Sequence, residues 1–245
     1  MARKKGPQTQ QAYTYIKQKI QNFQLPPGMA VSDYTLEQEL KMSRSPIREA
    51  IMRLSAEGLI ESTGKGAHVT DITLRDIIEI CQVRRAVEVA AVQILMENGG
   101  PSPEQKERLT DCFQNLREAT EPVRNYYYDD QFHDLITTMC GNQRLVHISN
   151  QMRAQIYRAR WLNCMLPERM SEAQTEHAAI YQALMDNDLE GGVRQIQIHL
   201  DQSEQNFRKI LTSGNYHAHM TAAVRFGGSP VTADLPVEQE KDLAF

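Results

Sequence analysis

The sequence predicts a mainly α protein in two parts, a small unit of three helices closed by a β-hairpin and then an all-α helical bundle. Three observations predict it. The first seventy residues are broken by proline and glycine at Pro26-Pro27-Gly28, Gly58, Gly64 and Gly66, whereas long helical periods run with few breakers from Asp71 to about Ser213. Charge divides at the same place: residues 1–70 carry ten Lys/Arg against six Asp/Glu, or +4, which leaves −8 for the rest of a chain whose formal net charge is −4. A polyanionic partner would therefore meet the N-terminal part. The expected divisions are residues 1–72, 73–213, and a polar segment 214–245 that lacks helical periodicity and is expected to be disordered.

In the first unit, Ala12, Ile16 and Ile20 recur every fourth residue and mark the buried face of a helix that stops before the double proline. Ser32 can N-cap a short helix carrying Leu36 and Leu40. Ser43 or Ser45 can cap a third, with Pro46 in its first turn. There Ile47, Ala50, Ile51 and Leu54 form the inward stripe, and Arg44, Arg48 and Met52 the outward one. Leu59 to Ser62 and Ala67 to Thr70 read as two short strands around a glycine turn. Three helices and a hairpin, in that order, make a winged helix-turn-helix. Beyond Asp71, helices are expected near 74–98, 103–119, 122–140, 143–164, 168–186 and 188–212.

Arg44 and Arg48 leave one face at the start of the third helix, where guanidinium forks can meet guanine O6 and N7 in a major groove. Ser43 and Ser45 are small donors placed for phosphate, and Lys65 between Gly64 and Gly66 puts charge at the wing tip, near backbone or minor groove. The run Ser43-Arg44-Ser45-Pro46-Ile47-Arg48-Glu49-Ala50, with Leu54, Glu57-Gly58-Leu59-Ile60 and Gly64-Lys65-Gly66 after it, resembles the DNA-binding domain of the GntR family of bacterial regulators. Two departures stand out: Lys41-Met42 occupies a place where that family commonly has Gly-Val, and Tyr34 one where some relatives carry arginine.

The second part holds a metal-like constellation. Asp129 and His133 share a helix face one turn apart, and His177 and His199 lie at nearly equal distances from a helical hairpin turn expected at Asn187-Asp188. One carboxylate and three imidazoles suit a divalent metal, zinc first, with nickel, iron or manganese as alternatives. Lone histidines such as His68, His147, His217 and His219 carry no such reading. The segments Asp129-x-x-Phe132-His133, Glu176-His177-x-x-Ile180 and His199-Leu200 resemble the FCD ligand-binding domain of the FadR subfamily, in its six-helix, VanR-like version. That resemblance implies Asp129, His133, His177 and His199 as metal ligands, with a small carboxylate or sugar-acid effector nearby. It also implies Arg84, in Val83-Arg84-x-x-x-Glu88, as the effector's arginine. Asn142 is an effector ligand or a helix cap, and Arg158 lines the effector pocket or instead a solvated face or a dimer contact.

These readings together predict a homodimeric regulator, a repressor by the family's usual direction. It would bind a short palindromic operator in double-stranded DNA under the control of a small organic acid. Two other classes are weighed: a metal-dependent hydrolase, and a sensor of the metal itself without an organic effector. No His-Glu-x-x-His, G-x-S-x-G, P-loop or dinucleotide glycine motif is present, which argues against an enzyme. Four scattered cysteines without a C-x-x-C pair, no apolar leader and no long apolar run point to a cytoplasmic protein with no membrane role.

Overall fold

The computed structural model describes residues 6–21, 23–64, 66–164 and 167–212. Lys65 and the segment 214–245 therefore lie outside the described residues. The N-terminal head contains α1 (Pro7–Gln21), α2 (Asp33–Leu40), α3 (Arg44–Ala56), β1 (Ile60–Thr63) and β2 (Gly66–Val69). The strands pair antiparallel, Ile60 opposite Val69 and Thr63 opposite Gly66. Ser32 caps α2, accepting from the Thr35 amide at 3.2 Å. Ser43 stands at the N-cap of α3 but makes no side-chain cap bond, so its hydroxyl is not spent there as the sequence reading allowed.

The inward stripe expected for α3 is buried as a block, with Ile47, Ala50 and Leu54 at 0% exposure. It closes on Ala12, Ile16 and Ile20 of α1 and on Leu59, Ile60 and Val69 of the hairpin. Each such aliphatic side chain contributes about 1.5–3 kcal/mol by leaving water, which is how so small a head holds α3 in place. Lys41 ends α2 in the left-handed region at φ 52°, a conformation that favours glycine and accounts for the glycine common there in the family it resembles.

Six helices follow among the described residues: α4 (Leu74–Glu97), α5 (Pro103–Glu118), α6 (Pro122–Met139), α7 (Gln143–Cys164), α8 (Pro167–Met185) and α9 (Leu189–Thr212). Thr73 and Asp76 start α4 with a reciprocal capping box, as Ser102 and Gln105 start α5. The bundle core joins Val92 and Leu95 of α4 to Phe113, Phe132, Ile136, Ile180, Leu184, Ile196 and Leu200. No described helix is long and apolar enough to cross a membrane. Cys81, Cys112 and Cys140 are buried and free of disulfides, and burial pushes the Cys81 thiol up to about 11.

Helix α7 touches both parts. Arg153 on one side bonds Asp130 and Asp134 of α6 at 2.9 and 3.1 Å. Gln155 and Arg158 lie about 140–200° further round the helix and reach the head. The Gln155 amide donates to the Glu57 carbonyl at 3.0 Å, and Arg158 donates to the Thr70 carbonyl and hydroxyl at 2.6 and 2.9 Å. Gly58 makes this approach feasible. Its φ is +71°, and a Cβ there would fall on the Gln155 amide nitrogen.

Candidate metal centre and nucleic-acid interface

Two sites emerge, one on each part. On the head, Arg44 and Arg48 stand out from α3 with side chains 45% and 64% exposed. Each is tethered to α2: Arg44 Nε to Glu37 at 2.8 Å and Arg48 Nε to Asp33 at 2.7 Å. The Arg44 guanidinium also lies over the Tyr34 ring at 5.5 Å. Pairs this exposed contribute little to stability, so the forks are oriented without being sequestered. Ser43, Ser45 and Gly66 are exposed beside them.

In the bundle, α6 supplies Asp129 and His133, α8 supplies His177 and α9 supplies His199. Their exposures are 8%, 3%, 1% and 2%. The α8–α9 hairpin turns at Asn187, whose φ is 54°, and Asp188 caps α9 through the Gly191 amide at 2.9 Å. The turn brings the His177 and His199 rings to 4.5 Å between centroids. One potential ligand atom from each of the four residues lies within 4.8 Å of all the others. His177 Nε2 is 3.2 Å from His133 Nε2 and 3.1 Å from Asp129 Oδ1. Donor atoms about 2.0–2.2 Å from one zinc ion must lie about 3 Å apart when adjacent, so these spacings fit a single cation.

The histidines are prepared for that role. Burial, reinforced by the neighbouring His177 and Arg84, holds His199 down at about 4, so its imidazole is neutral and keeps a lone pair. His199 Nδ1 bonds Glu176 at 2.7 Å, leaving Nε2 for the centre. Burial alone would raise the Glu176 carboxyl, but bonds from His199 and Arg169 hold it at about 2. His133 Nδ1 likewise bonds Glu88 at 2.6 Å. Glu88 in turn holds Arg84 Nε at 2.5 Å.

The remaining expectations divide. Arg84 is 4% exposed and belongs to this centre, and its Nη2 has no hydrogen-bond partner. Asn142 takes the cap role of the two readings open to it: its side-chain oxygen accepts from the Arg144 and Leu145 amides at 3.0 and 3.3 Å. Arg158 lies apart from the cluster, against the head. Its guanidinium grips Thr70 beside a crease of about 350 Å³ between head and bundle, lined by Gly58, Glu61, Asp76, Ile77 and Gln155. The supporting roles of Glu88, Glu176 and Arg169 escaped the sequence reading, although the i, i+4 spacing of Arg84 and Glu88 is an ion-pair signal on a helix.

Comparison with known proteins gives the same two parts. Residues 8–69 match the family model described as bacterial regulatory proteins, gntR family, and residues 79–202 match that of the FCD domain. The HTH-type transcriptional regulator YdhC of Bacillus subtilis is 25% identical over 212 residues, covering 83% of this chain and 92% of that protein. The HTH-type transcriptional repressor RspR of Escherichia coli is 23% identical, covering 83% and 90%. Among solved structures, a putative GntR regulator from Rhodococcus sp. RHA1 aligns with a TM-score of 0.71 at 20% identity, covering 82% of this chain and 98% of that one. McbR/YncC of E. coli aligns at 0.70 and 21% identity, covering 83% and 98%. At such identities these structures establish the shared fold.

Proposed function

Because this chain belongs to the gntR family of bacterial regulatory proteins and carries an FCD domain behind its DNA-binding head, we propose that it is an operator-binding transcriptional regulator controlled by a small organic acid at a divalent metal centre. The observation that carries the metal and effector reading is the buried four-residue cluster, whose donor atoms lie within 4.8 Å of one another. A divalent ion bound there supplies a Lewis-acidic anchor with positions open to a ligand oxygen. Asp129, His133, His177 and His199 hold that ion. Arg84 Nη2, buried and without a hydrogen-bond partner, offers a charge-assisted donor to the acid's carboxylate.

On the head, Arg44 and Arg48 read guanines, while Ser43, Ser45 and Gly66 set the backbone against phosphate. Two copies present two such heads to a palindrome. Exposed Val83 on α4 and Ile198 on α9 leave apolar surface for that association. We assign repression as the direction, in keeping with the repressor name of the similar RspR. Helix α7 joins the two sites. It meets α6 next to Asp129 and His133 through Asp130 and Asp134, and it meets the head at Glu57 and Thr70. An effector changes operator affinity only as far as it favours one placement of the head over another.

A hydrolase reading would need a free base beside the cluster, and the two carboxylates bonded to its imidazoles do not offer one. Glu88 and Glu176 are each also held by an arginine. The test is binding of the zinc-loaded chain to DNA selected from a random pool, with and without a panel of small carboxylates. Specific binding, weakened by one acid and by chelator in different degrees, is expected. Binding indifferent to zinc and to every acid contradicts the control proposed.

A further inference from the structure

We propose that Glu88 and Glu176 are positioning residues of the metal centre, each fixing one ligand imidazole, and that His177 is the one ligand ring without such support. The inference rests on the metal reading above and adds to it which residues set the centre's affinity. Two relays of the same build reach the cluster, one from α4 and one from α8. On one, Arg84 Nε holds Glu88 Oε1 at 2.5 Å and Glu88 Oε2 meets His133 Nδ1 at 2.6 Å. On the other, Arg169 holds both oxygens of Glu176 at 2.6 and 2.7 Å, and Glu176 Oε2 meets His199 Nδ1 at 2.7 Å. Arg169 is itself anchored on Ser203 at 3.2 Å.

In both relays the carboxylate takes the ring nitrogen that faces away from the cluster. A carboxylate there accepts a proton from Nδ1–H, which leaves the inward Nε2 with its lone pair and pins the ring plane. Buried ion pairs are poor stabilisers compared with apolar packing, so fold stability alone gives no reason for two of them to end on ligand imidazoles. His177 differs. It is 1% exposed, its Nδ1 has no hydrogen-bond partner, and its ring rests on the edge of Phe132 at 5.2 Å between centroids. Arg84 thereby has two duties, one through Nε to Glu88 and the metal ligand, and one through Nη2 to an incoming anion.

The test uses the full chain stripped of metal and titrated with zinc against a chromophoric chelator. Glu88→Asp and Glu176→Asp keep the charge that each arginine needs but withdraw the carboxylate by one methylene from the imidazole. Each is expected to weaken zinc binding about 10–100-fold while the metal-free melting temperature stays close to that of the parent. Glu79→Gln, in an exposed pair on α4, should leave zinc affinity unchanged. If an aspartate variant does not fold, the charge-neutral pair Glu176→Gln with Arg169→Met, or Glu88→Gln with Arg84→Met, takes its place with the same expectation. Zinc affinity equal to the parent's in folded variants overturns the proposal. A parent chain that binds no zinc overturns the metal reading and this inference together, a result distinguishable from the first.

Discussion

The head and the bundle use the same chemical pair, an arginine against a carboxylate, to opposite ends. On the head, Arg44–Glu37 and Arg48–Asp33 are exposed, with arginine side chains 45% and 64% open to solvent. In the bundle, Arg84–Glu88 and Arg169–Glu176 are sealed, with arginine side chains 4% and 5% open. An exposed pair is worth about 0–1 kcal/mol, so a guanidinium can exchange its carboxylate for a guanine or a phosphate at little cost. Breaking a buried pair from one side costs about 3–5 kcal/mol, so those partners stay together and hold whatever they touch. The head is built for exchange and the bundle for retention.

The contrast gives predictions that fall in size. Arg169→Ala leaves Glu176, 15% exposed, without its arginine counter-charge and bonded to the His199 ring, and urea unfolding should show a loss of about 3 kcal/mol. The corresponding change on the head, Arg48→Ala, should move stability by less than about 0.5 kcal/mol. It should nevertheless remove about 1–3 kcal/mol of discrimination between the selected operator and a scrambled one, with zinc content unaltered. A large stability loss from Arg48→Ala would erase the distinction. Between the two parts, Gly58→Ala forces a side chain onto φ +71° and against Gln155, and should cost about 1–2 kcal/mol in the same unfolding measurement. The smallest effect is a gain: Lys41→Gly relieves the left-handed residue at φ 52° and should add about 0.5–1 kcal/mol, with no change in zinc affinity.

What the sequence made legible was what is local or doubly marked. The recognition helix follows from an i, i+4 stripe, a glycine stop and a hairpin signal within thirty residues, and each of those interactions is short-range. The four residues of the candidate metal centre could be grouped because residue type agreed with two independent registers, one helix turn for Asp129 and His133 and one hairpin for His177 and His199. The helix boundaries fell within a residue or two of those observed because proline, glycine and capping residues mark nearly every end. For Arg158 and Asn142 the sequence left alternatives open, and the reason is physical. A long arginine has many possible partners, and its choice of Thr70 depends on how α7 lies across the head, which no periodicity records. Asn142 had a local explanation, and the local one prevailed. Glu176 was hidden by its neighbour: adjacent residues point about 100° apart on a helix, so a motif containing Glu176-His177 gives no hint that the glutamate bonds the histidine of another helix.

Anomalous X-ray diffraction at the zinc edge from crystals of the zinc-loaded chain is the most direct measurement. A single strong peak is expected inside the bundle, about 2.0–2.2 Å from Nε2 of His133, His177 and His199 and from a carboxylate oxygen of Asp129. Zinc-loaded crystals with no peak among those four residues, or with the peak held by other side chains, would contradict the metal-controlled regulator proposed above.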